Sequence, residues 1–118
     1  PIRNINLLRK IIRIIKNNKK IDSVISVKDV GGNHPLRMKI FKSGLLKNYS
    51  GKKKEDMRPR QKLPKVFIRS GSFYLISRSS FIKYKSLVGK NCYGIILRGL
   101  ESTNIDNILD LKYLEMKI

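Results

Sequence analysis

Asp22-Ser-Val-Ile-Ser-Val-Lys28 decides the reading of the fold. Val24, Ile25 and Val27 are β-branched, and a short run of this kind is typical of a strand covered by helices. Residues 4–18, just before it, have the pattern of an amphipathic helix. Leu8, Ile11, Ile12 and Ile15 follow the i, i+3, i+4, i+7 spacing, and Leu7 and Ile14 widen the apolar stripe. Arg9, Arg13 and Lys16 fall on the other face, Asn4 or Asn6 can cap the start, and Asn17-Asn18-Lys19-Lys20 ends it. Such a basic helix could lie on an anionic membrane. The strand that follows at once favours a surface helix packed on a sheet.

Downstream, Gly31-Gly32-Asn33 breaks the chain and Pro35 keeps His34 extended. From Leu36 to Phe41 apolar and basic residues alternate, which predicts a half-exposed strand, and Gly44 marks a turn. Residues 47–62 are polar and basic without periodicity and read as a long excursion from the core, the kind of segment that is functional, disordered or held by a partner. Gly71 to Ile76 predicts a second strand. Ser77 can cap a helix over 78–85 with Phe81 and Tyr84 as its apolar anchors. Tyr93 to Leu97 predicts a third strand, and 102–106 a short extended piece. Asn107 can cap a last helix, with Asp110 in its first turn where a negative charge favours the dipole. Strands alternating with helices indicate an α/β layer fold.

With 118 residues there is room for one compact domain. Lys and Arg number 27 against 8 Asp and Glu, a net charge of +19, which invites a polyanion as partner. The basic residues are scattered, however, with one cluster at 51–60, and no recognition helix, zinc-finger spacing or stacking-aromatic signature accompanies them. Abundant Ile, Lys and Asn also fit codon drift in an AT-rich genome. One cysteine, Cys92, excludes an intrachain disulfide and a zinc site of paired cysteines, and a reducing, cytoplasmic setting is the simplest expectation. The apolar runs are too short to span a membrane as a helix.

Residue by residue, the candidates for chemistry leave alternatives open. His34 could be a base, a ligand or a structural residue. Asp106 and Asp110, spaced i, i+4, could bind a metal or cap a helix. Gly31-Gly32 is too little for a phosphate-cradling loop, and no Walker or dinucleotide fingerprint is present.

The order of motifs carries further. Asn33-His-Pro-Leu-Arg37, Arg58-Pro-Arg-Gln-Lys-Leu-Pro64, Ser70-Gly-Ser-Phe-Tyr74 and Glu101-Ser-Thr-Asn-Ile-Asp106 with Asp110-Leu111 together resemble the carboxy-terminal half of the acylneuraminate cytidylyltransferases. These are the CMP-sialic acid synthetases and their relatives acting on legionaminic-type acids. The resemblance runs along the whole chain. It implies a partial three-layer Rossmann-like fold of the nucleotide-diphosphosugar-transferase kind, with residues 1–118 forming the carboxy-terminal part of a single domain and 37–66 an arm that packs on a second subunit. It also implies that CTP and a nonulosonic acid give CMP-sugar and pyrophosphate with Mg²⁺. Asp106 would hold the metal and act with Arg60 in catalysis. Arg37 and Arg60 would bind the sugar acid, a guanidinium being able to grip a carboxylate through two parallel hydrogen bonds. Gln61 and Tyr74 would line the sugar pocket.

Three positions depart from the family pattern. Asn104 stands where an Asp is frequent, Ser70 where an Asn is common, and Arg37 where some members have Lys. Nothing here resembles the family's amino-terminal nucleotide loop, so the isolated chain is expected to lack the CTP cradle and to be inactive alone. The alternatives are a basic module that holds RNA or DNA and a remnant without function.

Overall fold

The structure is a computed structural model and describes residues 2–118. In chain order its elements are α1 (Ile5–Asn17), β1 (Ser23–Asp29), β2 (Lys39–Lys42), β3 (Leu45–Asn48), β4 (Phe67–Ile76), α2 (Arg78–Tyr84), β5 (Cys92–Ile96) and α3 (Ile108–Glu115). The chain divides into two compact units. The first runs through Lys28 and resumes from Arg69 to Ile118; the second is Asp29–Ile68.

The first unit is built on a sheet of order β4-β1-β5. β1 and β5 are parallel, with Ser23 opposite Cys92 and Val27 opposite Ile96. β4 runs the other way along β1, since Ser77 N–H donates to Asp22 O while Phe73 lies against Ser26. The sheet is thus mixed, and the protein has an α/β fold. Ile11 of α1, Val24 of β1, Leu97 after β5 and Leu114 of α3 form its buried apolar core.

Asn4 does cap α1, accepting from the backbone N–H groups of Asn6 and Leu7. Ser77 caps α2 by accepting from Ser80 N–H. Phe81 and Tyr84, expected to anchor that helix, are instead 47% and 36% exposed. In a helix of two turns both rings lie on the outer side, so the cap and not apolar burial defines its start. Asn107 and Asp110 complete a reciprocal capping box at α3.

Two further expectations are corrected. The strand expected from Leu36 begins only at Lys39, because Pro35–Arg37 forms a 3₁₀ turn. Proline at the first position has no N–H to satisfy, and the His34 ring accepts the Leu36 N–H, so the turn is capped at little cost. The extended piece expected over 102–106 is cut short because a 3₁₀ turn runs from Gly99 to Ser102.

β4 begins at Phe67, ahead of the expected Gly71, and passes through Gly71 at φ +73°. A left-handed residue inside a strand bends the ladder, which glycine does without a Cβ penalty. Ser26 fills the resulting gap. Its hydroxyl accepts from Phe73 N–H at 2.8 Å and from the Ser70 hydroxyl at 2.7 Å. Ser23, Ser26 and Ser70 are all buried, an arrangement that apolar patterning does not reveal.

The second unit contains the antiparallel hairpin β2–β3, turned by Ser43 and Gly44, with Lys39 opposite Asn48 and Phe41 opposite Leu46. Part of the excursion expected over 47–62 therefore belongs to a strand. Its remainder returns through a 3₁₀ turn at Arg60–Lys62 to the buried Leu63.

Ser26→Val tests the polar seam of the sheet. It supplies a better β-former and more apolar surface, yet it strands the buried Ser70 hydroxyl and removes the acceptor of the Phe73 N–H. Urea unfolding is expected to show a loss of about 1–3 kcal/mol; an unchanged or raised midpoint would contradict the role given to the hydroxyl.

Candidate functional site

Of the residues singled out in the sequence, Arg37, Arg60 and Gln61 lie in the Asp29–Ile68 unit, and Tyr74 and Asp106 in the other. Within the Asp29–Ile68 unit, Arg60 and Gln61 come together at a cavity of about 330 Å³. Asp29, Val30, Gly31 and His34 form one wall, and the stretch from Leu63 to Val66 completes it. Arg37 is not part of it. Its guanidinium donates to the Arg58 carbonyl at 3.2 Å.

The local chemistry builds this cavity. Asp29 ends β1 and turns the chain, its carboxylate accepting Gly31 N–H at 2.7 Å. Gly31 sits at φ +61°, a left-handed conformation that suits glycine. A Cβ placed there would lie 3.7 Å from Arg60 Nη2, so the guanidinium runs beside the bare backbone of Gly31. His34 is buried, 5% exposed. Its Nδ1 accepts from Leu36 N–H at 3.1 Å and its Nε2 lies 2.9 Å from Pro64 O. An Nδ1 that accepts carries no proton, so Nε2 holds the hydrogen and donates it to the carbonyl.

The arrangement offers a planar cation and a neutral amide beside the bare backbone of Gly31. Arg60 presents parallel N–H donors suited to a carboxylate or phosphate. Gln61 adds both a donor and an acceptor. Asp29 and Gly31 were not singled out as cavity residues from the sequence; the Asp-x-Gly spacing at the end of β1 is the signal that could have pointed to them.

A larger hollow, about 580 Å³, lies along the hairpin and is walled by Lys39, Lys47, Lys52, Lys53 and Glu55 among others. Lys39 is ion-paired to Glu55 and also donates to Asn48. Its cations are flexible ammonium groups, which attract anions without fixing their orientation.

In the first unit, Asp110 is engaged as the α3 cap, accepting from the backbone N–H groups of Asp106 and Asn107 at 3.0 and 3.1 Å. Between metal binding and capping, its geometry is that of a cap. Asp106 is exposed, and its carboxylate enters no hydrogen bond or ion pair among the described residues. Asn104 donates to Ser70 O at 2.8 Å, which ties the loop before α3 to β4 beside Gly71. Tyr74 lies on β4 and is exposed. Among the described residues, no group of three or more His, Cys, Asp or Glu side chains gathers as a metal centre. No helix is long and apolar enough to cross a membrane.

Comparison with protein-family models and with curated proteins finds no match to this chain.

The most perturbed carboxylate belongs to Asp56. Arg58 grips it through Nε at 2.9 Å and Nη2 at 2.7 Å, and this hydrogen bonding holds its pKa at about 2 instead of 3.8. A lowered carboxylate pKa means that the pair is complete above the ordinary value and is lost as pH falls through the folded one. A carbon-13 NMR titration of the Asp56 carboxyl is expected to give a midpoint near 2. Arg58→Ala should return it towards the ordinary range; a midpoint unaffected by that substitution would exclude the guanidinium as the cause.

Proposed function

We propose that this chain is the carboxy-terminal part of a cytidylyltransferase that activates a sialic-acid-type nonulosonic acid with CTP. The observation that carries the reading is the cavity in which Arg60 and Gln61, both selected by the motif resemblance, stand together beside Gly31. Its volume of about 330 Å³ lies at the lower end of the range typical of small-molecule sites. The mixed α/β sheet is compatible with a larger layered fold of the Rossmann-like kind, whose remaining strands would extend from the open edges of β4 or β5.

In this reaction the anomeric hydroxyl of the sugar acid attacks the α-phosphorus of CTP. A new P–O bond forms, the bond to pyrophosphate breaks, and the hydroxyl proton passes to solvent water. Positioning and charge neutralisation provide most of the catalysis in such transfers. Arg60 pairs with the sugar carboxylate and holds the acid in one orientation. Gln61 hydrogen-bonds a neighbouring hydroxyl or acyl group. Arg37, with its guanidinium on the Arg58 carbonyl, shapes the backbone that leads into Arg60.

Asp106 is the residue that would hold Mg²⁺. One free, exposed carboxylate fits an ion that takes one or two protein oxygens and completes its shell with phosphates and water. When bound, the ion neutralises charge on the phosphates. Asn104 is not needed as a ligand, because its amide already serves the loop.

A second copy of the chain is the proposed partner of the 37–66 arm. Phe41 and Leu46 face each other across the hairpin and are 73% and 64% exposed, an apolar pair of the sort that a protein interface covers.

Calorimetric titration of the full chain with sodium N-acetylneuraminate tests the reading. Binding is expected, with Arg60→Ala weakening it at least about tenfold through loss of a charge-assisted pair, and Lys47→Ala leaving it unchanged. Absence of binding, or binding indifferent to Arg60, would refute the site. Oligonucleotide affinity falling steeply with salt, in place of sugar binding, would favour the nucleic-acid module.

A further inference from the structure

His34 takes no part in the reading above, yet it is the buried polar side chain of the cavity wall. We propose that His34 is the positioning residue of this cavity: as the Nε2–H tautomer it bridges the Asp29–Arg37 stretch to the segment carrying Arg60 and Gln61, and so sets where the guanidinium stands. The consequence for a ligand rests on the sugar-acid reading; the geometry does not.

The cavity is walled by two stretches far apart in sequence. Outside the cavity wall the Arg37 guanidinium reaches Arg58 O at 3.2 Å; within the wall, among the described residues, two hydrogen bonds join them. One is the backbone pair Val30 N–H to Val66 O, at 3.2 Å. The other is the bond from His34 Nε2 to Pro64 O, at 2.9 Å. Of the two within the wall, the second lies nearer to Arg60 along the chain. From Pro64 the path to Arg60 is short and stiff: Leu63 is buried, and its N–H closes the 3₁₀ turn on Arg60 O at 3.2 Å. A carbonyl fixed at Pro64 therefore fixes the turn from which Arg60 projects.

The other end of the bridge is equally determined. Pro35 has no N–H, so the first donor of the following turn is Leu36 N–H, and the ring takes it at Nδ1. Each ring nitrogen then has a backbone partner. A buried imidazole with its lone pair and its proton both engaged has neither to offer a substrate or a metal ion. Among the roles open from the sequence, base, ligand or structural residue, this geometry leaves a structural role with a functional consequence. Arg60 lies beside Gly31 because the two stretches are held in register.

The sequence holds a single histidine, so a long-range proton–nitrogen spectrum of the full chain reports one imidazole. The proton is expected on Nε2 and not on Nδ1. Two substitutions separate the two ends of the bridge. His34→Asn keeps an acceptor where Nδ1 stands but cannot reach Pro64. His34→Gln carries an amide long enough to donate to Pro64 O. A nuclear Overhauser contact between the Arg60 side chain and the Gly31 α-protons is expected in the parent protein and in His34→Gln, and lost in His34→Asn. Affinity for sodium N-acetylneuraminate is expected to fall about tenfold in His34→Asn, the effect of one well-placed hydrogen bond, and to recover in His34→Gln.

An Nδ1–H imidazole would overturn the proposal, as would a His34→Asn protein that keeps the Arg60–Gly31 contact. If His34→Asn does not fold, the tautomer and the His34→Gln contact decide the matter, and a folded His34→Gln protein without that contact also overturns it. Should the parent fail to bind the sugar acid while the contact follows the bridge as expected, the ligand reading falls and the positioning role stands.

Discussion

Strand β1 is bonded along both edges, and on one of them a serine hydroxyl completes the pairing. On one side it meets β5 in parallel register. On the other, β4 passes through Gly71 in a left-handed conformation, and the half-buried Phe73 N–H takes a side-chain acceptor. The Ser26 hydroxyl reaches across to satisfy it, steadied by Ser70. Without Ser26 the buried Ser70 hydroxyl would also lose its partner, and an unmet buried donor costs about 1–3 kcal/mol, a large fraction of a small domain's stability. The strand that leaves this seam ends at Asp29, whose carboxylate turns the chain into Gly31 and the wall of the cavity.

The second unit solves the same problem with another side chain. Histidine presents an acceptor and a donor on opposite sides of one ring, so it satisfies the N–H of Leu36 and the carbonyl of Pro64 together. The outer parts of this unit are held by charge. Lys39 pairs with Glu55, and Asp56 with Arg58. Such exposed pairs contribute little stability individually. Their effect is to orient the loop between β3 and the Arg60 turn, which lies in a chain of strongly positive net charge.

Helices and their starts were readable from the residues because capping is local: Asn4, Ser77 and Asn107 each stand where the first free N–H groups need an acceptor. Strand β1 was readable from its β-branched run. The polar seam was not, since serine at positions 23, 26 and 70 looks like surface until the bend at Gly71 is seen. The turn at Pro35 was hidden for a related reason. Alternation over Leu36 to Phe41 favours a strand, and only the His34 ring acceptor tips the balance towards 3₁₀ geometry. At the site, Arg60 and Gln61 were found through motif resemblance. For Asp29 and Gly31 the Asp-x-Gly spacing signals the turn, while their place opposite Arg60 follows from tertiary placement.

The central claim is that an acidic sugar sits against Arg60 in the Asp29–Ile68 unit. The most direct measurement is a proton–nitrogen correlation spectrum of the full chain titrated with sodium N-acetylneuraminate. The account predicts saturating shifts concentrated at Gly31, His34, Arg60, Gln61 and Leu63, with the hairpin lysines unmoved. Shifts confined to Lys39, Lys47, Lys52 and Lys53, or no shifts at all, would contradict it.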